Sequence, residues 1–360
     1  MTNVNTTSNS SQPVGVDRAS KYIAIASVVI YSVVLLLGTL GNGLVIYVTG
    51  CRMKRTVNSV WFLNLAVADF LLTAFLIFSI VSFSQEYHWP FGHFMCKLNN
   101  FVSVVSMFAS IFLLMTISLD RCLSIWVVVW AQNKRTVRKA QLITAVIWVT
   151  SVVFSIPYAY FRDLILHNGR IHCTYEFRTP KWSLGIFRFF AGFAIPFLVI
   201  CVSYVAIGVR AGRLHRTRRH RSNRIILSVV FAFFICWLPF HVIHFMDINS
   251  RSNPGLIVQI GGPLSLCLAF MNSCLNPILY VFMCDEFQKK LKQSVCFVLE
   301  SALAEDHLSF MSSRSLSSQL SRISRKSEFS GPSERKDTAA FLIFTESKVV
   351  TGERETLSTE

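Results

Sequence analysis

Charge is scarce in this chain: Asp, Glu, Lys and Arg make up 15% of its 360 residues. A soluble protein of ordinary composition carries roughly a quarter of its residues as charges. The shortage, with 52% hydrophobic residues and a mean hydropathy of +0.49, argues against a solvated surface and makes the membrane the first class to test. The ten cysteines contain no Cys-x-x-Cys pair, so zinc and thioredoxin chemistry have no motif to rest on. Most lie in apolar runs, where a thiol packs as a small hydrophobe. The first 20 residues contain no apolar h-region, so no cleaved signal peptide is expected and the first membrane helix directs insertion. No nucleophile, base and oxyanion-donor set converges, which argues against an enzyme. The formal net charge of +16 suits nucleic acid, but the basic residues sit in short clusters between apolar runs, so no nucleic-acid partner is expected.

Long apolar runs are present instead. A helix that crosses the bilayer needs about 20 mainly apolar residues, because its backbone groups have no water to bond to. Seven windows qualify, at 22–49, 58–83, 95–126, 140–161, 184–209, 224–246 and 256–283. The expected fold class is an all-α integral membrane protein, a seven-transmembrane helix bundle. Basic residues orient it. Arg52, Lys54 and Arg55 follow the first helix, Lys134, Arg135, Arg138 and Lys139 the third, and an arginine run from Arg210 to Arg224 the fifth. Those loops are read as cytoplasmic, with residues 1–21 outside the cell at the plasma membrane. Asn5 and Asn9 head glycosylation sequons in that outer segment.

Beyond the seventh window, residues 284–297 alternate charged and apolar positions at helical spacing, with Phe287, Leu291 and Val295 as an apolar stripe. This pattern predicts an amphipathic eighth helix on membrane lipid, with Cys296 as a palmitoylation candidate. Residues 298–360 read as a disordered C-terminal tail, polar and serine-rich. Ser312, Ser313, Ser315, Ser317, Ser318, Ser321 and Ser324 lie near basic residues there, suited to receptor kinases and then to arrestin.

Ionisable side chains inside membrane helices mark function by default. Asp69 sits in the middle of the second window. Ser110, Asn272, Ser273 and Asn276 can supply oxygens around it, which reads as a pocket for an allosteric sodium ion, the one metal expected; the alternative is hydrogen-bonded structural polarity.

The motifs, taken in order, resemble those of rhodopsin-like G-protein-coupled receptors over residues 22–297. They are Gly41-Asn42-Gly43, Asn64 with Asp69, Asp120-Arg121-Cys122, Trp148, Pro196 with Tyr204, Cys236-Trp237-Leu238-Pro239 and Asn276-Pro277-Ile278-Leu279-Tyr280. The resemblance implies an activation switch. Arg121 is held by Asp120 at rest and meets a G protein when the sixth helix swings outward. Pro239 removes a backbone hydrogen bond and permits a pivot about Trp237. Pro196, Ile111 and Phe233 match the family's central packing switch, and Tyr204 and Tyr280 are expected to swing toward Arg121. Cys96 and Cys173 match the family's disulfide, which would hold a loop over the pocket.

A narrower resemblance to chemoattractant receptors, the chemerin and formyl-peptide receptors among them, rests on residues 61–70, 88–92, 130–133 and 272–277. It implies a peptide or small-protein ligand, an inhibitory-type G protein and a role in chemotaxis. Arg188, too deep to snorkel comfortably, should seek an anion, for which a peptide C-terminal carboxylate is the obvious candidate; an internal salt bridge is the alternative. Asn100, Arg162, Arg188 and Asp247 match polar pocket positions of the chemerin receptor, with Asp247 in place of Glu. Val104 and Leu184 stand where formyl-peptide receptors carry charge, which favours a chemerin-like ligand. Ile77 and Val128 replace prolines usual in both groups. Cys122 and Val128 keep a non-signalling decoy open, and a lipid-mediator receptor of the same group is a further alternative. A transporter is disfavoured by the lack of internal repeats.

Overall fold

The computed structural model describes residues 14–167, 169–211, 216–250 and 256–283. Asn5, Asn9, Cys296, the segment 284–297 and the tail serines lie outside the described residues.

Seven helical spans form the bundle. The first is α1 (Val14–Tyr47), and the second is split into α2 (Val57–Ala74) and α3 (Leu76–Ser84). The third is α4 (Gly92–Trp126), followed by a short loop helix α5 (Val128–Lys134). The fourth is α6 (Val137–Tyr160), and the fifth is α7 (Lys181–Phe189) with α8 (Ile195–Ala211). The sixth and seventh are α9 (Arg216–Asn249) and α10 (Leu256–Met283). The windows match, except that α1 and α9 begin at Val14 and Arg216 rather than at 22 and 224. Hydropathy marks the stretch that crosses hydrocarbon, whereas a helix can continue into the polar interface.

Local chemistry sets several ends. Thr56 and Ser59 form a reciprocal capping box at α2: the Ser59 amide donates to Thr56 Oγ1 at 3.1 Å, and the Thr56 amide to Ser59 Oγ at 2.8 Å. The second span breaks at Phe75 with no proline, while Ile77, where a proline is the expected cue for a break, is exposed. Two residues before Phe75 the Thr73 hydroxyl donates to the Asp69 carbonyl at 2.9 Å, a back-bond that bends helices. The fifth span contains a wide turn at Phe190–Ala194 just before Pro196, an extra residue that re-aims the side chains around it.

The helix α4 packs against α2, α6 and α8, while α1 packs on α2, α3 and α10 and α9 lies beside α10. Buried apolar side chains from Val45 through Phe62, Phe108, Ile111 and Phe233 to Ala269 form one core. Exposed apolar rows, Val29, Leu36 and Leu40 on α1 and Leu142, Val149 and Ile156 on α6, are the faces that hydrocarbon covers.

At one end of the bundle a hairpin, β1 (Arg162–His167) and β2 (Arg170–Tyr175), pairs Arg162 with Tyr175 and His167 with Arg170. Gly169 supplies the left-handed backbone its tight turn requires, at φ 76°. Cys173 is bridged to Cys96 at the start of α4. The loop before α4 also grips β2: the Trp89 amide donates to the Ile171 carbonyl at 2.8 Å, and Glu86 pairs with Arg170.

Candidate functional site: a cationic cavity under the hairpin

Beneath the hairpin lies a cavity of about 760 Å³. Asn100 of α4, Arg162 of β1, Arg188 of α7 and Asp247 of α9 all line it, so the four pocket residues expected from sequence meet in one space. Trp237 and Phe240 of α9 line it as well.

Arg188 is 8% exposed. Its guanidinium lies 4.3 Å from the centre of the Tyr158 ring, with Phe240 at 5.8 Å. Nη2 donates to the Tyr175 hydroxyl at 3.4 Å, and Nε is buried with no partner. Among the described residues it makes no ion pair, so the internal salt bridge weighed as its alternative is not the arrangement here. Tyr158 is itself anchored, its hydroxyl donating to the Leu184 carbonyl at 2.8 Å while Asn100 donates to its carbonyl at 2.9 Å.

Arg162 stacks 4.2 Å from the centre of the Tyr175 ring and donates to the Cys173 carbonyl at 3.0 Å. It too has no carboxylate partner among the described residues. Burial by itself raises the Tyr175 phenol, but Arg162 and Arg188 beside it outweigh burial and hold it below its usual value. Asp247, the one acidic member, is exposed. The cavity is therefore positive, with a buried Arg188 and a half-buried Arg162 that aromatic faces steady and do not neutralise.

Deeper in the bundle, Asp69 is fully buried. Ser110 Oγ donates to its Oδ1 at 2.8 Å and Asn276 Nδ2 to its Oδ2 at 2.6 Å, with Ser273 beside them. Asn276 Oδ1 remains buried without a partner. Asn272 is buried nearby but makes no bond to the carboxylate. Asn42 joins the first span to the seventh by donating to the Ser273 carbonyl at 3.1 Å.

The model of the family "7 transmembrane receptor (rhodopsin family)" matches residues 41–280. The chain belongs to the rhodopsin family of seven-transmembrane receptors. It falls in the chemoattractant group of G-protein-coupled receptors, and the family is one of receptors rather than enzymes. The chain is 42% identical over 299 residues to "Chemerin-like receptor 1" of Homo sapiens, covering 78% of this chain and 80% of that one. It is 39% identical over 290 residues to the "C3a anaphylatoxin chemotactic receptor" of Danio rerio, covering 80% of each. It is 38% identical over 308 residues to "Formyl peptide receptor 2" of Mus musculus, covering 80% of this chain and 88% of that one.

For the residues read as the receptor's switch, the structure gives burial and neighbours, and it corrects one expected contact. Ile111, Pro196, Phe233 and Trp237 are all buried, and Phe193 stacks on Phe233 at 6.0 Å beside them. Pro239 lies inside α9. Tyr204 is buried, whereas the side chain of Tyr280 lies outside the described residues. The expected pairing of Asp120 with Arg121 is absent. Arg135, just past α5, takes both carboxylate oxygens through Nε and Nη2, at 2.9 and 2.8 Å. Arg135 engages the carboxylate as a bidentate fork, and Asn58 accepts from the same Nη2 at 2.6 Å and holds Arg135 in place.

Sequence reasoning missed Tyr158, Tyr175 and Arg135. The hairpin was signalled by Asn168-Gly169 between alternating runs, the strongest short-range hairpin cue. Nothing local marked Arg135 as a partner of Asp120.

Proposed function

We propose that this receptor binds a peptide or small protein at the hairpin end, outside the cell, and signals through an inhibitory-type G protein in chemotaxis. The observation that carries the reading is Arg188: a guanidinium lining the cavity, buried on aromatic faces and, among the described residues, without a carboxylate of its own. A buried cation retained without a partner is a site for a ligand's anion, and a peptide C-terminal carboxylate matches the fork of a guanidinium. The relatives' names, chemerin-like, C3a and formyl peptide receptors, support a peptide or small-protein ligand. Val104 and Leu184, uncharged where formyl-peptide receptors carry charge, favour a chemerin-like ligand.

The basic loops support an outside N-terminus carrying glycans on Asn5 and Asn9. Cys296 is the proposed lipid anchor, and the tail serines are the proposed sites for kinases and arrestin. Asp69, Ser110, Ser273 and Asn276 would hold a sodium ion, with the unpartnered oxygen of Asn276 supporting the fit. The ion would hold the second, third and seventh spans together, and ligand binding would shift the population away from that arrangement.

The test is inhibition of cyclic AMP in cells expressing the chain, challenged with a chemerin C-terminal peptide and with a formylated peptide, with and without pertussis toxin. A toxin-sensitive response to the chemerin peptide alone is expected. Ligand uptake with no change in cyclic AMP would replace this reading with that of a decoy.

A further inference from the structure

The two cations of the cavity come from different parts of the fold. Arg162 belongs to β1 of the hairpin and Arg188 to the fifth span. Two long, like-charged side chains without carboxylates repel each other and lose affinity for a shared anion if each is free to turn away. One residue touches both. The hairpin register sets Tyr175 directly across from Arg162, and the ring lies under that guanidinium at 4.2 Å. The hydroxyl of the same side chain accepts from Arg188 Nη2 at 3.4 Å. Tyr175 is two residues from Cys173, so the bridge to Cys96 fixes the strand that carries it.

We propose that Tyr175 is the positioning residue of a two-guanidinium clamp, its ring setting Arg162 and its hydroxyl setting Arg188 so that both address one carboxylate of the ligand. The inference rests on the reading of the cavity as the site of a ligand's carboxylate and adds how that site is held. Tyr175 acts through the arginines, so it governs preference for a carboxylate rather than binding in general. A hydroxyl that accepts from a cation has no equivalent in phenylalanine, while the stacking face is kept.

The experiment uses the full-length receptor in cells, with surface expression measured for each variant. The probes are a synthetic chemerin C-terminal peptide as the free acid and the same peptide as its C-terminal amide. Wild type is expected to prefer the acid. Tyr175→Phe should lower that preference about tenfold by releasing Arg188, with amide affinity unchanged, and Tyr175→Leu should lower it further by also removing the face under Arg162. A wild-type preference that Tyr175→Phe leaves intact overturns the role given to Tyr175 and leaves the carboxylate site standing. Equal weakening of acid and amide also overturns it, since that is what a structural role alone produces. A wild type that binds neither peptide, or both alike, removes the carboxylate site and this inference with it.

Discussion

The carboxylate of Asp120 is bound by Arg135, fifteen positions along the chain, and not by its neighbour Arg121. Nη2 of Arg121 is buried without a hydrogen-bond partner, and the side chain makes no ion pair among the described residues. Replacing Arg135 with Ala frees Asp120 to capture Arg121 and withdraws it from the G protein. Agonist potency should fall severalfold with ligand affinity unchanged, whereas Asp120→Asn added to Arg135→Ala, leaving no carboxylate to capture Arg121, should restore it. Dose–response curves for cyclic AMP inhibition, beside ligand binding, check both, and an Arg135→Ala receptor with raised basal activity would show the bridge to be a resting-state lock instead.

Arg188 has aromatic neighbours and, among the described residues, no ion pair, so Arg188→Ala leaves no paired buried anion uncompensated. Surface expression should hold, while affinity for a carboxylate-ended peptide drops by about 30-fold or more. Binding of free acid and amide forms, with surface staining, measures this. Unchanged affinity for the acid would remove Arg188 from the site.

Asp69→Asn keeps an acceptor for Ser110 but removes the charge that attracts a cation. Agonist affinity in wild type should shift when sodium is exchanged for choline, and the shift should vanish in Asp69→Asn. A persisting shift places the ion elsewhere.

The first and second spans meet at Gly38, where a Cβ would lie 2.4 Å from Thr73 Cγ2. Gly38→Ala should cost about 1–3 kcal/mol through overpacking, read as a lower Tm of the purified receptor in detergent. Thr73→Ser, which deletes that Cγ2, should restore part of the loss. An unchanged Tm in Gly38→Ala would mean that the two spans separate at little cost.

The spans were legible in sequence because a bilayer imposes a length and a polarity on each one independently of its neighbours. Asp69 and Arg188 were legible for the same reason, since a charge in an apolar run is conspicuous by itself. The split of the second span was not: the cue sought was a proline near position 77, and the bend accompanies the Thr73 back-bond instead. Tyr175 was equally silent, being an ordinary aromatic residue near a cysteine until the hairpin register sets it across from Arg162.

By itself the sequence determined which segments cross the membrane, which side chains are too polar for it, and the family whose motifs they carry. Those properties depend on composition and on spacing within one helix. Only the tertiary structure decided which partner each polar group takes. Asp120 sits beside Arg121 in the chain yet pairs with Arg135, because side-chain direction and the packing of the loop on α2 outweigh nearness in sequence. The two cavity arginines share Tyr175 because a disulfide and a β-turn hold the second strand of the hairpin beside the fifth span. Pairing of this kind is a property of distances in space, which no single segment encodes.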